Sequence, residues 1–119
     1  MKTFIFILML LESNGDPSAV GDNGKAIGCL QIHPVLVYDV NRIANTKYTL
    51  NDRLNPVKSQ EMAFIYFRHY LGNSAKPEEM ARLWNSGPNW RNKKHLTNNY
   101  WKKYKKTYYH FCVTLRASQ

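Results

Sequence analysis

Few side chains in this 119-residue chain have both the type and the setting that proton-transfer chemistry needs. Glu12 is the first. It follows the apolar run Phe4-Ile5-Phe6-Ile7-Leu8-Met9-Leu10-Leu11. If that run is a core helix, Glu12 sits in its last turn. Apolar neighbours there desolvate the carboxylate, and the negative end of the helix dipole repels it. Both effects raise the pKa toward the range of a general acid. The plain alternative is a surface Glu that marks the helix end. Asp22, in the polar stretch Gly21-Asp22-Asn23-Gly24, is the second carboxylate. It is either a general base or a turn former, because Asp-Asn-Gly suits a tight turn. Asp16 precedes Pro17 and reads as loop-shaping.

The residues around these carboxylates form an ordered set. Glu12-Ser13 ends the apolar run, with Pro17-Ser18-Ala19-Val20 in the loop behind it. Gly28-Cys29-Leu30-Gln31 follows the polar stretch. Trp84-Asn85-Ser86-Gly87-Pro88 comes later, and Tyr100-Trp101 runs into basic residues. In this order the segments resemble the signature of soluble lytic transglycosylases and goose-type lysozymes, within the lysozyme-like superfamily. The resemblance covers about residues 5 to 106. Cys29 and Leu30 replace the family's Leu and Met, and Trp84 replaces its Tyr.

The resemblance implies a lysozyme-like, mainly α domain that cleaves the β-1,4 bond between N-acetylmuramic acid and N-acetylglucosamine in peptidoglycan. Glu12 would protonate the glycosidic oxygen. Asp22 would activate water in an inverting hydrolase. Lytic transglycosylases instead use a single Glu and close a 1,6-anhydro ring with the sugar's own hydroxyl. The goose-like Asp22 tips the expectation toward a hydrolytic muramidase. Ser13 and Gln31 would hydrogen-bond the sugar or orient Glu12, with backbone capping as the alternative. Asn85 would contact an N-acetyl group or the Glu12 carboxyl, or else cap its helix. Trp84 is either core or a stacking surface, and any support from the family's Tyr hydroxyl is lost or comes from elsewhere. Tyr100 lines the cleft or belongs to the core.

The rest of the composition narrows the choices. Residues 1 to 79 hold eight Lys/Arg and eight Asp/Glu, whereas residues 80 to 119 hold nine Lys/Arg and no acid. The net charge of +9 is therefore C-terminal, which suits a polyanion: nucleic acid, an anionic membrane or a bacterial envelope. A rival reading is a nucleic-acid-binding module that uses Arg91 to His95 and Lys102 to Lys106, basic residues interleaved with aromatics. It leaves the Glu12 segment unexplained, so no specific nucleic acid is expected. The histidines and cysteines lack metal-ligand spacing and no phosphate loop is present, so neither metal nor cofactor is expected. Cys29 and Cys112 either pair or stay free. Met1 to Leu11 imitates a signal peptide but is too short to span a bilayer. Read as the first core helix, it leaves no removable signal, and a phage particle, a lysis system or a secretion machine would carry the protein to the wall. A monomer acting at the cell wall, in the periplasm, outside the cell or on a virion, is expected.

One domain over residues 1–119 follows from the length. The first helix covers residues 3 to 12 and should be buried all round. Residues 13 to 32 form a loop with a short hairpin about Asp22-Asn23-Gly24. His33-Pro34 opens a second helix, buried through Val35, Val37, Val40 and Ile43. After a connector, Asn55 caps a third helix with the stripe Met62, Ile65, Tyr66, His69 and Tyr70, closed by Gly72. Pro77 begins a fourth that stops at Gly87-Pro88. Residues 89 to 96 read as a basic loop, Thr97 caps a fifth helix to about Lys106, and residues 107–119 read as strand or as more helix.

Overall fold

The computed structural model describes residues 1–118. It contains α1 (Lys2–Ser13), β1 (Val20–Gly21), β2 (Ala26–Ile27), α2 (Pro34–Ala44), α3 (Pro56–Leu71), α4 (Pro77–Ser86) and α5 (Asn98–Ala117). Short 3₁₀ turns at Asp22–Gly24, Leu50–Leu54 and Trp90–Thr97 join them. The strands pair antiparallel, Val20 opposite Ile27 and Gly21 opposite Ala26. The expected mainly α, five-helix domain with a small hairpin after the first helix is what is observed.

Chain chemistry sets the boundaries. Asn14 ends α1 in the left-handed region at φ 54°, and its neighbourhood returns N–H bonds to Leu10 and Met9. Pro34, Pro56 and Pro77 each open a helix, where a missing N–H removes no helical bond. The Asn55 side chain accepts from the Lys58 N–H at 3.1 Å, as an N-cap should. The core gathers Ile5, Ile7 and Leu8 of α1, Leu30 and Ile32 of the return segment, and Met62, Phe67, Met80 and Leu83. Phe4 meets Phe67 edge-on at 5.5 Å and stacks on Tyr104 at 4.5 Å, so α1 lies between α3 and α5.

Several expectations need correction. α1 is not buried all round: Phe6, which meets Phe111 of α5, is 44% exposed. Val35 is 72% exposed. Residues two apart on a helix point nearly opposite ways, so burying Val37 and Val40 turns Val35 outward. His69 is likewise exposed. The basic loop is largely the third 3₁₀ turn. Thr97 makes no cap bond to α5; its buried hydroxyl donates to the Lys94 carbonyl and accepts from Arg82. Arg82, almost fully buried, also donates to Lys94 O and Asn98 Oδ1 and so ties α4 to the start of α5. The tail continues α5 as helix to Ala117, and only Gln119 lies outside the described residues. Cys29 and Cys112 are both free thiols.

The hairpin loop is braced from below. Arg53, 8% exposed, donates to the carbonyls of Leu50 (2.8 Å), Lys25 (3.0 Å) and Ile32 (2.9 Å). Gly28 lies over the same residue at φ +87°, where a Cβ would collide with the Arg53 carbonyl oxygen. Gly28→Ala is therefore expected to lower unfolding stability by roughly 2–4 kcal/mol in a urea titration, combining strain with a backbone collision.

Candidate active site

Glu12 projects from the last turn of α1 into a cleft of about 280 Å³. Asp22 and Ala26 of the hairpin region, Gln31 and His33 of the return, Trp84 and Asn85 of α4, and Tyr100 of α5 complete its lining. Of the residues singled out in the sequence, Glu12, Asp22, Gln31, Trp84, Asn85 and Tyr100 thus meet in one place. Ser13 does not line it. Its hydroxyl donates to the Cys29 carbonyl at 2.7 Å and ties the end of α1 to the return segment.

Burial of the Glu12 carboxyl raises its pKa above the ordinary value of 4.5. Tyr100 O–H donates to Glu12 Oε2, and this bond, with the more distant Lys103 charge, partly offsets the rise. Burial and the Glu12 charge push the Tyr100 hydroxyl up in turn, so it stays a neutral donor. The hydroxyl that Trp84 cannot supply thus comes from α5. Trp84 itself packs against Tyr66 and Phe67 at 6.1 and 5.4 Å while one part faces the cleft. Asn85 is exposed on the cleft wall.

Asp22 occupies the left-handed region at φ 50°, and 61% of its side chain is exposed. His33 Nε2 stands 3.2 Å from Asp22 Oδ2. Gln31, also left-handed at φ 54°, donates its amide to the carbonyls of Ala19 (3.1 Å) and Gly28 (3.0 Å). Its Oε1 faces Gly21, where any side chain would clash. Gln31 therefore holds the hairpin shut beside the cleft.

The cleft shares Gln31, His33, Trp84 and Asn85 with a groove of about 670 Å³ that runs on past Tyr66, Tyr70 and Asp39. There the Asp39 carboxylate accepts from Tyr70 O–H at 2.5 Å and from Arg42 Nη2 at 2.6 Å. Sequence reasoning missed His33 and this groove wall. His33 carried a signal, since it directly follows the Gln31-Ile32 return; Asp39 and Tyr70 meet only through packing. Among the described residues, no group of three or more His, Cys, Asp or Glu side chains could hold a metal ion. Beside the second basic stretch of the rival nucleic-acid surface Tyr108 and Tyr109 stay exposed, but other neighbouring aromatics do not. Tyr104 is buried between Phe4 and Trp101, and Trp90 is 6% exposed.

The burial of Glu12 has a thermodynamic signature. Its folded pKa lies above its unfolded value, so the folded state binds more protons and loses stability as pH rises past 4.5. Glu12→Gln keeps the acceptor for Tyr100 but never ionises. Thermal melts should show the variant more stable than wild type at neutral pH, with the difference vanishing below pH 4.5.

The family model described as the transglycosylase SLT domain matches residues 1–108. No curated protein and no solved structure matches the chain. The matched span takes in the whole cleft, from Glu12 on α1 to Tyr100 on α5. The chain thus belongs to the SLT transglycosylase family, and is a lysozyme-like enzyme that degrades cell-wall peptidoglycan.

Proposed function

We propose that this enzyme cleaves the β-1,4 bond between N-acetylmuramic acid and N-acetylglucosamine by hydrolysis, with Glu12 as general acid and Asp22 as general base. The observation that carries this reading is the pairing of two unlike carboxyls in one cleft. Glu12 is desolvated and hydrogen-bonded by Tyr100; Asp22 is open to water. Two carboxyls whose surroundings differ in this way suit opposite proton roles. Glu12 gives its proton to the glycosidic oxygen as the bond to C1 breaks. Asp22 takes a proton from water, whose oxygen adds to C1 from the other face. Trp84 and Asn85 offer an aromatic edge and an amide to the sugar, and the wider groove takes the flanking glycan strand.

A second reading, lytic transglycosylation, is favoured by the SLT transglycosylase family match. In that case Glu12 acts alone and recovers its proton from the sugar's own hydroxyl. The anhydro product is lighter than the hydrolytic one by one water. Mass spectrometry of a digest of purified walls separates the two.

Glu12→Gln should fold and lose nearly all wall lysis; wild-type-like lysis by the folded variant would remove Glu12 from the mechanism. Asp22→Asn should slow hydrolysis by roughly 10²–10⁴, the usual worth of a general base. Little loss, together with 1,6-anhydro ends, would assign transglycosylation instead. Tyr100→Phe removes the bond that favours ionised Glu12. The alkaline limb of kcat/KM should therefore move to higher pH, and a limb that stays in place would mean another group sets it.

A further inference from the structure

The last turns of α5 have no counterpart in the catalytic machinery. The family match stops at residue 108, while the helix runs on to Ala117. Among the described residues beyond Tyr104, only Thr107, Phe111 and Cys112 are even half-buried. The exposed positions there mix polar residues with apolar ones, among them Tyr108 at 45%, Tyr109 at 65%, and Val113 and Leu115 at 44% each. Phe6 of α1, exposed to 44%, meets Phe111 at 5.3 Å, on the side of α5 that carries Tyr108 and Leu115. Tyr109 and Val113, four apart, share another side of the helix, and exposed apolar groups on two sides of one helix end are unusual for a surface that faces only water.

Charge singles out the occupant. Lys102, Lys103, Lys105 and Lys106 lie exposed on the two turns that lead into this tip, and Arg116 lies beyond it. Residues 80 to 119 contain no acid to balance them. Lys102, Lys106, Tyr109 and Val113 fall along one stripe of the helix at spacings of four, three and four. Apolar residues at the end of a helix with lysines behind them match the two layers of an anionic lipid surface. Tyr and Val enter the headgroup–acyl boundary while the ammonium groups stay with the phosphates. A second copy of the chain fits less well, because tip-to-tip contact would bring two uncompensated lysine clusters together. Among the described residues, no helix is long and apolar enough to cross a membrane, so the contact would be interfacial.

We propose that the C-terminal half of α5 is a docking element for anionic membrane surfaces, separate from the wall-cleaving cleft. The test is flotation of the full chain with vesicles of phosphatidylcholine alone and with vesicles containing phosphatidylglycerol. The protein should float with the anionic vesicles and stay behind with the neutral ones. Lys102→Gln with Lys106→Gln should weaken anionic-vesicle binding by about 25-fold, on the usual worth of a Lys near such a surface. Tyr109→Ser with Val113→Ser should weaken it by at least ~30-fold through lost apolar contact. Both double variants should keep wild-type melting curves and cleavage of a short soluble glycan, since neither touches core or cleft. Equal binding to both vesicle types, no binding to either, or binding unchanged in both variants would overturn the proposal. Concentration-dependent dimers that the Tyr109→Ser, Val113→Ser variant abolishes, without vesicle binding, would assign the stripe to a second copy instead. Lipid binding is read without catalysis, so a failed cleavage mechanism would leave this result standing.

Discussion

The hydrogen bond from Tyr100 to Glu12 joins side chains 88 residues apart, and the geometry of the cleft follows from it. A carboxyl pressed against an apolar core resists ionisation. A donor aimed at the same carboxyl favours ionisation, so the two effects together keep the group able both to hold and to release a proton. That balance needs α1 and α5 locked at one distance. The stack of Phe4 on Tyr104 does this one turn beyond Tyr100, and Arg82 anchors the first residues of α5 to α4.

The hairpin side of the cleft is built from irregular chain, and polar side chains in and beside that chain mainly serve the backbone. Gln31, Ser13 and Arg53 donate to main-chain carbonyls of the loop. A short hairpin has too few ladder bonds to be rigid alone. Side-chain donors supply what the ladder lacks, and the left-handed residues Asp22, Asn23 and Gln31 let the loop fold back on itself. Asp22 is the exception: its carboxylate points to solvent and to His33 rather than to the loop. An exposed carboxylate on a braced loop is well placed to handle water.

α5 divides into two stretches with different tasks. Its first turns carry Tyr100 and Tyr104 into the body of the enzyme, whereas its last turns leave Tyr109, Val113 and Leu115 in solvent. The lysines between them lie on the outside throughout. Basic charge so placed also holds an enzyme near anionic envelope polymers without occupying its cleft.

Much of this could be read from residue order. Three prolines, Asn55, Gly72 and Gly87 mark helix ends because backbone chemistry is local, and each boundary they mark is observed. The family and its mainly α fold were legible in segments that keep their order along the chain. Which face of a helix is covered was less legible. Val35 and Phe6 look as apolar as their buried neighbours, and only the docking of other elements decides their exposure. The buried roles of Arg53 and Arg82 were hidden for a similar reason: their acceptors are carbonyls whose position no residue type reveals. The sequence by itself determined that an acid ends an apolar helix and that basic charge gathers at the other end of the chain. Only tertiary structure decided that Tyr100 is the partner of that acid and that His33 stands beside Asp22, because both contacts arise where separate elements pack.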